Sequence, residues 1–178
     1  MLPIQLPEHV RSLFEGQFPV PVVDIATALD IKMYTTDDLS PSQSGVIVKE
    51  QEDYTIVVNE THSPERIRFT VAHEIGHFLM HKDILDEQRS FISDIKQPAF
   101  LHDAEGAMRR AHDHRLPSKD RTLELEANKF AADLLMPKEQ FTKVWDVSNT
   151  IDEVAAFFNV SISAATVRGE QVLNSFMV

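Results

Sequence analysis

The sequence predicts an α+β domain: a short antiparallel sheet packed on helices, followed by a mostly helical C-terminal part. Three observations predict it. Strand-forming runs at Ile31 to Tyr34, Gly45 to Val48 and Tyr54 to Val58 fall close together in the first third of the chain. Two longer segments, Pro64 to His81 and Asp120 to Met136, carry apolar residues at helical spacing. With 178 residues, 43% of them hydrophobic and 25% charged, the chain suits one domain over 1–178 with a sizeable core. Residues 19–137 would form the central unit and 138–178 a helical extension.

Pro7 to Glu15 reads as a short helix with Pro7 in its first turn and Gly16 at its end. Pro19 and Pro21 bracket a bend, and Val22, Ile25 and Leu29 then mark a second helix. Between the first two strands, Tyr34 to Ser44 is polar and reads as a loop. The charged stretch Lys49 to Asp53 suits a hairpin connection a little longer than the tightest turns.

Ser63-Pro64 is a helix start, with the serine able to cap free amides and the proline suited to the first helical position. Along that helix Val71, Ala72, Ile75, Phe78 and Leu79 share one side. His73, Glu74, His77 and His81 share the other, which the wheel makes the non-core face. Beyond it, Asp86 to Ile95 and Ala104 to Ala111 have helical character, interrupted by Pro98 and Pro117. His102, Asp103, His112, Asp113 and His114 are concentrated there. They suit either solvent-facing loop positions or a second metal site or transition-state donor. After the Asp120 helix, Pro137 opens a helix to Trp145. Thr150-Ile151-Asp152-Glu153 reads as a capping box for a helix to Phe158, and a last helix starts at Ser161.

The formal net charge is −11, from 28 Asp plus Glu against 17 Lys plus Arg, which argues against a broad phosphate-binding surface. There is no cysteine, so disulfides, thiolate metal sites and a Cys nucleophile are excluded, and any metal must be held by nitrogen and oxygen. The N-terminus lacks a basic region followed by an apolar run, and no apolar segment approaches the ~18 residues that span a bilayer. A cytoplasmic location without membrane association is the expectation.

The chemistry is concentrated in His73-Glu74-Ile75-Gly76-His77. Residues four apart lie about 40° apart around a helix, so both rings reach one metal ion, and the Glu74 carboxylate can take a proton from a water beside it. This is the H-E-x-x-H pattern of zinc peptidases. A catalytic zinc has three protein ligands and an open position. The extended pattern with Gly at 80 and His at 83 is absent, since Met80 and Asp83 stand there. In the Asp120 to Met136 helix, Glu126, Lys129 and Asp133 fall on a polar face, whereas Glu124 and Asn128 fall within the apolar arc. An unpaired carboxylate there is costly by several kcal/mol, so Glu124 is the expected third ligand. A salt bridge to a buried basic side chain is the alternative. Asn128, one turn on, is placed to hydrogen-bond the free ring nitrogen of a ligating histidine, and Ala127 and Ala131 permit close approach of the two helices.

Arg68 to His77, followed by Glu124 to Pro137, resembles the paired signature of the ImmA/IrrE family of bacterial metallopeptidases. The resemblance runs from about Pro19 to Met136 and more loosely to the C-terminus. It implies a small zincin-like α+β metalloprotease domain, one zinc (or another divalent metal) on His73, His77 and Glu124, and Glu74 as catalytic base. It also implies a substrate, typically a helix-turn-helix repressor or an antitoxin-like protein encoded nearby, in a stress-response or mobile-element switch. The interval from His77 to Glu124 is 47 residues (124 − 77), longer than the family's usual connection, and the extra segment Lys82 to Lys119 would bear on substrate access.

The expected function is therefore zinc-dependent endopeptidase. The rival is a non-cleaving binding protein or toxin component that keeps the fold. Tyr54 and Val57, on the third strand, are candidates for holding an extended substrate by edge pairing. For the oxyanion donor, Tyr34, Tyr54, His102, His112 and His114 all stand open. Val154 to Ser161 resembles the first half of a DNA-reading helix-turn-helix, but Ser163 to Val167 offers few long polar side chains, so a structural helical pair without direct nucleic-acid contact is expected.

Overall fold

The computed structural model describes residues 2–3, 5–87 and 118–174. Their elements, in order, are α1 (Glu8–Phe14), α2 (Val22–Ala28), β1 (Ile31–Thr36), β2 (Gly45–Glu50), β3 (Asp53–Asn59), α3 (Pro64–Met80), α4 (Lys82–Glu87), α5 (Ser118–Leu135), α6 (Lys138–Val147), α7 (Ile151–Phe158) and α8 (Ile162–Asn174). The architecture is α+β, with one small sheet and a largely helical remainder, as the patterning predicts. The expected helices within Asp86 to Ile95 and Ala104 to Ala111 lie largely outside the described residues, as do His102, Asp103, His112, Asp113 and His114.

The sheet departs from the expected antiparallel arrangement. Its order is β1-β3-β2, with β2 antiparallel to β3 but β1 parallel to it. Neighbours in sequence usually pair, which favours β1 beside β2. Here the loop after β1 instead crosses the end of β3, and Asn59 holds it there. That side chain is fully buried. Its amide donates to the carbonyls of Leu39 (3.3 Å), Ser40 (3.1 Å) and Gln43 (3.0 Å), while its oxygen accepts from the Thr61 amide (3.0 Å) and hydroxyl (2.6 Å). The hairpin is also tighter than expected. Glu50 pairs with Asp53, leaving Gln51-Glu52 as the turn, and Gln51 takes φ +56°.

Helix α3 begins as predicted, with Ser63 Oγ accepting from the Arg66 amide (3.4 Å) and Pro64 in the first turn. Two glycines set how closely its neighbours approach. A Cβ at Gly45 of β2 would stand 2.6 Å from Thr70 Cγ2 of α3, and one at Gly76 of α3 would stand 3.0 Å from Phe130 Cδ1 and 3.3 Å from Ala127 Cα of α5. α3 is therefore held between the sheet and α5, its apolar residues Val71, Ala72 and Ile75 in the main core with Ile56, Val58, Ala131 and Leu134.

The C-terminal helices extend this core. Thr150 Oγ1 accepts from the Glu153 amide (3.3 Å) and Glu153 reaches back to the Asn149 amide (2.8 Å), which fixes the start of α7; Asn159 ends it in the left-handed region at φ +51°. Phe141 stacks on Phe158, with ring centroids 5.9 Å apart. Arg168 of α8, itself buried, donates to the Met136 carbonyl (2.9 Å) and pairs with Asp133 (2.8 Å), tying the last helix to the end of α5. No helix among the described residues is long and apolar enough to cross a membrane.

Candidate metal centre

Consecutive turns of α3 bring the two rings of the motif together, with His73 Nε2 and His77 Nε2 3.0 Å apart. Glu124 of α5 reaches both, Oε2 lying 3.2 Å from His73 Nε2 and Oε1 3.2 Å from His77 Nε2. The three side chains offer ligand atoms that all lie within 4.8 Å of one another, and they form a group able to hold a metal ion. The expected third residue thus arrives where the pattern requires, although not for the reason the wheel suggests. Glu124 is not sunk in the core; half of its side-chain surface is exposed, and it lies over the rings instead.

The donor set itself tests whether a cation fits. His73 Nδ1 donates to Asn128 Oδ1 (3.0 Å), so the neutral ring keeps a lone pair on Nε2. That lone pair faces another imidazole nitrogen and a carboxylate, an arrangement of acceptors that a cation relieves. A tetrahedral ion bound at about 2.0–2.1 Å sets its ligand atoms roughly 3.3 Å apart. Separations of 3.0 to 3.2 Å are close to that spacing.

Glu74 requires a correction. The wheel places it on a non-core face, yet it is only 7% exposed, because β2 covers that side of α3. Burial pushes its carboxyl upward, outweighing the nearby His73 and His77 and a hydrogen bond from the Ile47 backbone amide, which act in the opposite direction. A carboxylate raised in this way is a better proton acceptor than an ordinary surface glutamate.

The strand residues are also corrected. β3 is the central strand, so Tyr54 and Val57 are paired on both sides and have no free edge to offer: Tyr54 pairs with Ile31 and Lys49, and Val57 with Tyr34 and Val46. Tyr54 is buried, its ring edge-on to Phe78 (4.8 Å) and its hydroxyl bonded to Lys82 and Asp86. Tyr34 is exposed on β1, an edge strand. Glu126, which the wheel leaves on an idle polar face, instead meets buried His81, with His81 Nε2 and Glu126 Oε2 3.0 Å apart. His81 Nδ1 in turn faces His77 Nδ1 at 2.9 Å. The available signal was the spacing of His73, His77 and His81 at successive turns; nothing local in the sequence points from His81 to Glu126.

Comparison with known proteins bears on the fold and the family of the chain. No curated protein matches the sequence. Among solved structures, a Mycobacterium tuberculosis transcriptional regulator shares the fold with a TM-score of 0.57 at 16% identity, over 95% of this chain. The match covers 47% of that regulator, so this chain spans about half its length. The profile of a peptidase family described as the IrrE N-terminal-like domain matches residues 26–169, which include both motif helices, β1 to β3 and most of the C-terminal helices. The chain belongs to the IrrE N-terminal-like domain family.

Proposed function

We propose that the domain is a zinc-dependent endopeptidase whose substrate is a helix-turn-helix repressor or antitoxin-like partner encoded nearby. The observation that carries the reading is the convergence of His73, His77 and Glu124 beside the buried carboxylate of Glu74. Two imidazole nitrogens and one carboxylate suit zinc, with other first-row divalent ions as substitutes. When bound, the metal supplies Lewis-acid chemistry, polarising a carbonyl and acidifying water.

The chain's own residues supply the rest. Glu74 takes the proton as the water oxygen bonds to the scissile carbonyl carbon, and returns it to the departing amine nitrogen as the C–N bond breaks. Asn128 fixes the ring of His73. An extended substrate pairs along β2, an edge strand that packs beside Glu74, rather than along β3. Membership of a peptidase family supports hydrolysis in general. The occurrence of the fold in a protein titled a transcriptional regulator is compatible with a role in gene control.

The test mixes the purified zinc-loaded chain with the repressor encoded alongside it and reads fragments by mass spectrometry. Wild type should cleave it at a defined bond, and Glu74→Gln should keep zinc and partner binding while losing cleavage. If Glu74→Gln remained fully active in the cell and wild type cut nothing, the domain would be a binding module instead.

A further inference from the structure

Buried polar side chains must be paired, and the way His81 is paired has a direction. It lies at the C-terminal end of α3, 6% exposed. Its Nε2 faces Glu126 Oε2 at 3.0 Å and its Nδ1 faces His77 Nδ1 at 2.9 Å. An ionised carboxylate only accepts, so Nε2 of His81 carries the proton and donates. In a neutral ring Nδ1 then holds the lone pair, and His77 Nδ1 must be the donor to it. That leaves the His77 lone pair on Nε2, the atom turned toward His73 and Glu124.

We infer that Glu126 and His81 are positioning residues that set the tautomer and ring orientation of His77, as Asn128 does for His73. The inference rests on the reading of His73, His77 and Glu124 as metal-holding residues. Hydrogen-bond partners of this kind commonly change metal affinity about 10- to 100-fold when removed. The role also explains a pair that the hydrolytic chemistry leaves unused: the group able to hold a metal is His73, His77 and Glu124, without His81, and Glu126 is half exposed. Its contact with His81 spans 45 positions of sequence.

The test is a zinc titration of metal-stripped protein against a chromophoric chelator, with the melting temperature of each apo variant measured alongside. Wild type should bind one zinc. His81→Leu, which cannot accept from His77, should bind it about 10- to 100-fold more weakly. His81→Asn places a carbonyl oxygen near the position of Nδ1 and should recover most of that loss, a rescue that packing alone does not predict. Glu126→Ala, at a half-exposed position that can be emptied without unfolding the chain, should weaken binding in the same direction but less. It carries the test if His81→Leu fails to fold.

Wild-type affinity in folded His81→Leu, wild-type affinity in Glu126→Ala, or equal losses in His81→Leu and His81→Asn would each overturn the inference while leaving the metal site standing. A second zinc equivalent lost with His81 would overturn it too, by making His81 a ligand. No zinc binding by wild type would overturn the metal reading itself, and the inference with it.

Discussion

Two clusters of ionisable side chains, one joining β2, β3 and α4 and the other joining α3 and α5, differ in whether their polar atoms are used up. Around Asp86, the partners balance. Lys49 Nζ is 2.8 Å from Oδ1, Lys82 Nζ is 3.3 Å from Oδ2, the Tyr54 hydroxyl bonds both Lys82 and Asp86, and the Lys82 ammonium sits 4.1 Å from the centre of the Tyr54 ring. Around Glu124, they do not balance: two imidazole nitrogens and a carboxylate turn toward one point with no donor among them. Ionisable groups in proximity are thus weak evidence for a site. A set of acceptors that converge without a proton to share is much stronger evidence, because only a cation completes it.

That contrast can be broken or sharpened by substitution. The largest effect belongs to Glu74→Gln, which should lower the rate of peptide cleavage by about 10²- to 10⁴-fold with zinc content unchanged. Comparable turnover in the variant would remove Glu74 from the chemistry. Gly76→Ala comes next. Its Cβ would enter the 3.0 to 3.3 Å space against Phe130 and Ala127. The strain of overpacking, about 1–3 kcal/mol, should exceed the roughly 1 kcal/mol that alanine gains in a helix. The melting temperature should fall, and zinc affinity with it as α5 moves away from the rings. A more stable variant with unchanged affinity would show that the close approach does not set the site.

Substitutions in the balanced cluster should be milder and silent for function. Tyr54→Phe should cost about 0.5–1.5 kcal/mol by denaturant unfolding and leave zinc binding and turnover alone. A tenfold fall in kcat/KM without loss of stability would return Tyr54 to the site.

The smallest effect is the pH dependence of Asp86. The Lys49 ammonium, then the Tyr54 hydroxyl, hold its carboxyl well below the usual range. A carboxyl depressed on folding contributes stability that is present above its unfolded pKa, about 3.9, and is lost as pH falls toward its folded value. Asp86→Asn should therefore flatten part of the acid limb of the stability curve below about pH 4 and leave the rest unchanged. Because a third of the Asp86 side chain is exposed, the difference should be small. An acid limb identical to that of wild type would mean that these contacts contribute nothing to it.

What could be read from sequence follows the range of the forces involved. The start of α3 rests on Ser63 and Pro64, which act within one turn, and the meeting of His73 with His77 rests on helical geometry alone. Asn128 and Glu124 were legible because a wheel relates residues on one helix. The wheel does not say what covers a face, so it misjudges Glu74, which β2 buries, and places Glu124 in an apolar arc although half of it is exposed. The parallel pairing of β1 depends on Asn59 gripping a loop some 16 to 20 positions away. With β1 and β2 on either side, β3 has no edge, which removes the roles given to Tyr54 and Val57. The contact of His81 with Glu126 is longer still in sequence, and no periodicity encodes it.

The central claim is that His73, His77 and Glu124 together hold one catalytic metal ion, and zinc binding to Glu124→Ala tests it most directly. Metal-stripped wild type should take up one equivalent of zinc, and Glu124→Ala should fail to retain it through gel filtration while keeping the wild-type circular dichroism spectrum. Stoichiometric zinc in Glu124→Ala would contradict the account by showing that the third ligand lies elsewhere.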